Sequence, residues 1–363
     1  MDSHYTDSIF KHREVLSPNY LPGHMPNRME EIKGITRIIY DALEGNVTNI
    51  LISGQPGTGK TASIKLIFKN LKGDTDALFC YVNCFNKSTR MGVLYSMVLD
   101  FFKEKRPTRK MPSRRGIAYD ELVDSFKKEL EKTNTKVVVC LDEVDQLEET
   151  ELIYDLIRTR WDTGRIQVIG ISNNPFIFKD LDPRTKSRLY PLREISFNPY
   201  TKEQMCEIVK AKVEGAFHED IVDKEAIDYL AEFTAQKKGD VRVARETLLR
   251  AGELARKSGD SKVGVEHIRE RLNRTRHAKA ISIINELTKR ERFILRLIPE
   301  KGTYYPQLYQ FYKSTDGQLG DRMFRNYIER FSRFNLINME RKGVGGSYFI
   351  TLNTPKDVLF EVS

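Results

Sequence analysis

The eight residues Gly54-Gln55-Pro56-Gly57-Thr58-Gly59-Lys60-Thr61 follow the apolar run VTNILIS and lead into SIKLIFKNL. A strand that ends in glycines and returns as a helix leaves little choice of fold. The loop must turn tightly, and the helix must start with its free N–H groups aimed into that turn. The order G-x-x-x-x-G-K-T is the phosphate-loop pattern, whose backbone donors and helix dipole suit a polyphosphate. Gly54, Pro56, Gly57, Thr58, Gly59, Ala62 and Ser63 are expected to form the cradle. Lys60 is expected to reach the β- and γ-phosphates, and the hydroxyl of Thr61 to ligate Mg²⁺. ATP or ADP and Mg²⁺ are therefore the expected cofactors.

Around this loop, short apolar runs alternate with helical stretches from about residue 46 to 200. The runs are VTNILIS (47–53), ALFCYVN (77–83), TKVVVCLD (135–142), RIQVIGIS (165–172) and LREISF (192–197). Such alternation predicts βαβ units and hence an α/β fold, a parallel sheet with helices on both faces. After FNPYT the pattern turns helical, with helices predicted over 201–217, 223–237, 241–258 and 263–279. Thr201 and Gln204 have the spacing of a capping box. A last region begins near 283, with helices predicted over 289–298, 305–314 and 321–334. It ends in LINMERKGVGGSYFITL, a β-hairpin pattern around a glycine-rich tip. This region reads as a winged helix-turn-helix, with 321–334 as recognition helix. On it Met323, Phe324, Tyr327, Ile328 and Phe331 recur at helical spacing and are expected in the core, leaving Arg322, Arg325, Arg330 and Arg333 as outward cations. Arg341 and Lys342 lie at the expected wing.

A phosphate loop needs an acidic partner on a neighbouring strand, and KVVVCLDEVDQL supplies it. Asp142 is expected to hold Mg²⁺ through water from the strand's carboxyl end, with Glu143 as general base toward the attacking water. The next strand runs into Asn173 and Asn174 at the same edge, where ligands bind in open α/β sheets. There one of the two amides can orient the water or touch the γ-phosphate, or the Asn-Asn-Pro sequence can simply turn the chain.

The 363 residues allow two to three domains. Lys and Arg number 60 against 51 Asp and Glu, a net +9, which points to a polyanionic partner. Seven of those cations fall between Lys103 and Gly116, in KEKRPTRKMPSRRG, against the single Glu104. Three of the four cysteines, Cys80, Cys84 and Cys140, fall in strand-like runs, with no C-x-x-C pair, so buried thiols in a reducing compartment are expected. There is no apolar leader and no run of 18 apolar residues, so a cytoplasmic, non-membrane location is expected.

GQPGTGKT, LDEVD, ISNN, LDPRTKSRL, FNPYT and GDVR occur in the order and spacing of AAA+ ATPases. Over roughly 15–350 the chain most resembles the archaeal origin-recognition and cell-division-cycle type replication initiators. The resemblance implies an AAA+ base with its N-terminal segment at 1–199, an α-helical lid at 200–280 and a winged-helix DNA-binding domain at 281–363. It implies that Asn173 reads the γ-phosphate, that Arg242 reaches over the nucleotide from the lid, and that Arg188, with Arg184 competing, is a finger acting on a neighbouring subunit. It also implies that Tyr200 lines the pocket and that Arg28 lies beside the adenine. Lys212 stands where the family carries a nucleotide-contacting arginine; it keeps the charge but lacks the planar fork. The basic segment matches a DNA-touching insertion, giving Arg106, Arg109, Lys110, Arg114 and Arg115 as contacts beside Arg322, Arg325, Arg341 and Lys342. The implied function is ATP-dependent replication initiation with slow hydrolysis, on double-stranded origin DNA, with a replicative helicase and other initiator subunits as further partners. A transcription regulator with a structural ATP site and a clamp-loader-like motor are the rival readings.

Overall fold

In a computed structural model of the chain the described residues are 9–109, 113, 116–158, 166–181, 183–315, 317–342, 347–353, 356 and 359. They form two compact units, residues 1–265 and 266–363. No helix among them is long and apolar enough to cross a membrane.

The first unit runs α1 (Met29–Leu43), β1 (Asn49–Gly54), α2 (Lys60–Asp74), β2 (Leu78–Asn83), α3 (Arg90–Lys105), α4 (Tyr119–Thr133), β3 (Val137–Asp142), α5 (Glu151–Arg158), β4 (Ile166–Ser172), α6 (Pro183–Leu189) and β5 (Leu192–Phe197). It continues with α7 (Lys202–Ala216), α8 (Lys224–Gln236) and α9 (Val241–Ser258). The strands make one parallel sheet in the order β2-β3-β4-β1-β5. Because side chains alternate across a strand, each inner strand feeds two cores, which is why the runs are continuously apolar. Ile50, Ile52, Val138, Cys140, Ile169 and Ile171 pack with Ile35 and Ile39 of α1 and with Ile64 and Ile67 of α2. Leu51, Val137, Val139, Leu141 and Val168 pack on the other face with Val93, Met97, Phe101, Leu122 and Phe126 of α3 and α4. Cys80, Cys84 and Cys140 are buried free thiols; burial pushes Cys84 up to about 12.

All five strands and the first three of the four helices after FNPYT form where the patterns put them; the fourth, predicted over 263–279, forms as Val265–Glu286 and runs past its expected end. Thr201 and Gln204 form the capping box, the Thr201 hydroxyl accepting from Gln204 N and Gln204 Oε1 accepting from Thr201 N. The N-terminal segment joins this helical part as well: Phe10 bridges to Phe217, their rings 4.9 Å apart. Gly252 of α9 is required beneath them, since a Cβ there would lie 2.5 Å from the Phe10 ring.

α10 (Val265–Glu286) leads into the second unit, which holds α11 (Lys289–Arg296), β6 (Thr303–Tyr304), α12 (Tyr305–Ser314), α13 (Asp321–Arg333), β7 (Ile337–Arg341) and β8 (Tyr348–Leu352). The strands form an antiparallel sheet in the order β6-β8-β7, so a helix-turn-helix is followed by a hairpin, the winged-helix arrangement. Phe324, Ile328 and Phe331 of α13 are fully buried at i, i+4 and i+7. Met323, expected in the core, is 49% exposed, because it sits a 100° step off that stripe and at the edge of the buried face. Phe324 is ringed by Tyr305, Tyr309 and Tyr312 at 5.9, 5.2 and 4.9 Å. Phe324→Ala is expected to cost the second unit about 3–5 kcal/mol in chemical unfolding, while nucleotide affinity, which belongs to the first unit's separate core, stays at the wild-type value.

Candidate nucleotide site and nucleic-acid interface

At the carboxyl ends of β1, β3 and β4 lies a cavity of about 650 Å³. Among the residues expected to act, Pro56, Gly57, Thr58, Gly59, Lys60, Thr61, Ala62, Asp142, Glu143, Asn173, Tyr200, Lys212 and Arg242 line it. The N-terminal segment 18–26 closes one side, and α7 and α9 another.

The phosphate loop takes the shape its glycines permit. Gly57 and Gly59 have φ of 78° and 94°, and Gly59 is the N-cap of α2 with no side-chain cap. The first amides of a 15-residue helix therefore face the cavity uncapped, as an anion requires. Lys60 Nζ donates to Gly54 O at 2.7 Å, Gln55 O at 2.9 Å and Asn173 Oδ1 at 3.0 Å. Burial lowers the Lys60 pKa, opposed by the nearby Asp142 carboxylate. An ammonium held by neutral acceptors can exchange them for phosphate oxygens at a gain in electrostatic attraction.

Asp142 ends β3 and is only 4% exposed. Its Oδ2 accepts from Thr61 Oγ1 at 2.7 Å and from Tyr81 Oη at 2.5 Å, and its Oδ1 accepts from Glu143 N at 3.0 Å. Glu143 follows in a left-handed conformation, φ 55°, which turns its side chain out of the strand and over the cavity. Asn83 Nδ2 donates to its Oε2 at 3.4 Å. Among the described residues no group of three or more His, Cys, Asp and Glu could hold a metal alone. The Thr61 hydroxyl beside the Asp142 carboxylate fits Mg²⁺, a cation that takes one or two protein oxygens and completes its shell with phosphates and water.

The lid supplies the opposite wall. Asp240 caps α9, accepting from Arg242 N at 2.9 Å, and also grips the Arg242 guanidinium at 2.7–3.3 Å. That bond raises the Arg242 pKa. Val241 N donates to Gly57 O at 3.3 Å, so the lid helix starts on the phosphate loop itself. A Cβ at Gly57 would fall 1.8 Å from Asp240 Oδ1. Lys212 on α7 faces the same cavity; burial and then the charge of Arg245 lower its pKa.

Three expected nucleotide residues stand behind the cavity wall. Gly54 lies under the loop, where a Cβ would meet Phe197 O at 2.4 Å. Ser63 is fully buried against Met25. Arg28, 4% exposed, donates to Thr58 O, Tyr200 Oη, Asn198 O and Glu31, and its guanidinium lies 4.1 Å from the Tyr200 ring. Arg184 and Arg188 both lie on α6; the Arg188 side chain is outside the described residues.

Four residues that sequence reading passed over also shape the site: Lys65, Tyr81, Arg245 and Asp145. Lys65 and Arg245 line the cavity. Arg245 was detectable in principle, since it follows Arg242 by three and shares its helix face. Tyr81 sits on β2, beside the Asp142 strand. Burial raises Asp145, but hydrogen bonds from Gln146 and from Ser172 at 2.7 Å bring it below its usual value.

Of the expected DNA contacts, Lys110, Arg114 and Arg115 lie outside the described residues. Arg109 donates to Glu129 Oε2 at 2.6 Å and Arg106 lies 3.7 Å from the same oxygen, on a carboxylate only 8% exposed. In the second unit Arg322 is exposed on α13. Arg325 pairs with Asp321 and lies over Tyr305, Arg341 lies over Tyr348, and Lys342 pairs with Glu340. Arg330 donates to the buried Glu291, and Arg333 pairs with Glu329.

The AAA domain family model matches residues 45–174, and the Cdc6 AAA+ ATPase-type lid domain model matches 206–271. The ORC1-type DNA replication protein 1 of Methanosarcina acetivorans is 31% identical over 298 residues, covering 79% of this chain and 70% of the relative. That of Archaeoglobus fulgidus is 31% identical over 351 residues, 91% of this chain and 84% of the relative. The Aeropyrum pernix ORC1 protein solved in complex with DNA has a TM-score of 0.65 at 24% identity, covering 98% of this chain and 96% of that one. Pyrobaculum aerophilum Cdc6p has a TM-score of 0.66 at 19% identity, covering 98% of both chains. With relatives this similar along most of both chains, this protein belongs to the family of ORC1-type DNA replication proteins.

Proposed function

We propose that the chain is an ATP-switched replication initiator that binds origin duplex DNA. The observation that carries the reading is the convergence of Lys60, Asp142, Glu143, Asn173 and Arg242 on one cavity, in a member of the ORC1-type family. The solved A. pernix ORC1 complex with DNA and the ADPNP–ADP complexes of A. pernix ORC2 support duplex DNA and adenine nucleotide as its ligands. The chain is divided into base at 1–199, lid at 200–280 and winged helix at 281–363, and the lid-domain match over 206–271 supports the lid. A replicative helicase and other initiator subunits are the further partners proposed.

In this reading Lys60 and the α2 amides bind the phosphates, with Thr61 and Asp142 as the oxygens for Mg²⁺. Held there, Mg²⁺ would supply neutralisation of the charge on the transferring phosphoryl group. Asn173 orients the γ end, and Glu143 takes the proton of the attacking water at a carboxylate oxygen. Two contacts support slow, regulatory turnover: Asp240 holds Arg242, and Asn83 holds Glu143. Each must be exchanged before those groups act, and Val241 on Gly57 O links that exchange to the lid.

Lys60→Ala is expected to weaken ATP binding by about 10- to 100-fold, the loss of a charge-assisted contact, measured by equilibrium titration; wild-type affinity in this variant refutes the site. Replacing Arg114 and Arg115 by Ala is expected to lower the slope of log affinity against log salt for duplex DNA by about 1.8, two phosphates' worth. An unchanged slope removes the basic segment from the interface.

A further inference from the structure

We infer that Tyr81 is a positioning residue for the Asp142 carboxylate and thereby sets the divalent-cation requirement of the site. This rests on the nucleotide and Mg²⁺ reading above. A carboxylate at a strand end turns freely about its last torsion unless its oxygens are held. Asp142 is held by three donors: the Glu143 amide on Oδ1, and the Thr61 and Tyr81 hydroxyls on Oδ2.

The three donors differ in freedom. The amide is fixed by the chain, and the Thr61 hydroxyl, on the first turn of α2, is itself the other oxygen proposed for the cation. Tyr81 is anchored elsewhere. It projects from β2, its neighbour Cys80 is fully buried in the core, and the Lys65 ammonium lies 4.4 Å from its ring centroid. Tyr81 lies in register with Cys140, two residues before Asp142 along β3, so its long side chain reaches forward to the carboxylate. The 2.5 Å bond places a rigid donor on the oxygen that also receives Thr61. A donor behind a metal ligand fixes its direction, and losing such a partner typically costs 10- to 100-fold in metal affinity.

Tyr81→Phe removes the hydroxyl while keeping the ring, its volume and the Lys65 contact. The test is a Mg²⁺ titration of binding of an N-methylanthraniloyl derivative of ATP, with melting temperature as the folding control. The expected result is a Mg²⁺ midpoint raised at least ~10-fold, with binding in excess chelator and melting temperature both at wild-type values. A Mg²⁺ midpoint equal to wild type overturns the role of Tyr81 and leaves the site reading standing. If the wild-type protein itself shows no Mg²⁺-dependent step, or Lys60→Ala binds the derivative as tightly, the site reading fails and the inference falls with it.

Discussion

The guanidinium of Arg28 cannot stay buried without acceptors, because an unpaired charge out of water is far costlier than any single contact it could replace. Its acceptors decide the geometry of everything around it. One is the carbonyl of Thr58 in the phosphate loop, two are Asn198 and Tyr200 in the connection from β5 to α7, and one is Glu31 on α1. Satisfying this one cation locks the loop, the hinge and the N-terminal segment into a single arrangement. Removing it would strand four acceptors, one of them the Glu31 carboxylate, so the nucleotide cavity depends on a residue that does not touch it.

Local chemistry made the base of the fold legible. The phosphate loop, the acidic strand end and the Thr201 capping box each need only neighbours within a few residues, and each formed as the residues dictate. The apolar runs became strands because both of their faces are covered. What stayed hidden depends on convergence of distant segments. Arg28 carries no signal that its donors will be spent on Thr58 and Asn198 rather than turned to a ligand. Tyr81 reads as one more strand aromatic until β2 is laid beside β3. The second capping box, Thr288 with Glu291, was local enough to be found; its Glu291 also receives Arg330, a link across 39 residues that spacing does not reveal.

The same limit applies to the cations of the recognition helix. Sequence counts Arg325, Arg330 and Arg333 as available charge, yet each is partnered by a carboxylate in its own unit. Arg330 and Glu291 secure α13 to α11, so part of the positive charge holds the helix in place while Arg322 remains exposed. Arg109 and Arg106 stand in the same relation to Glu129, fixing the end of α3 against α4 where the basic segment departs. Charge on the proposed nucleic-acid surface thus divides between groups that hold the scaffold and groups left exposed.

Lys212 and Arg245 face the cavity from α7 and α9, and among the described residues neither has a carboxylate within ion-pair distance. Burial lowers the pKa of both, and the charge of Arg245 adds to the lowering at Lys212. A polyphosphate within reach of both would offset the cost of burying two cations, and the ligand would then serve as mortar for the wall that encloses it.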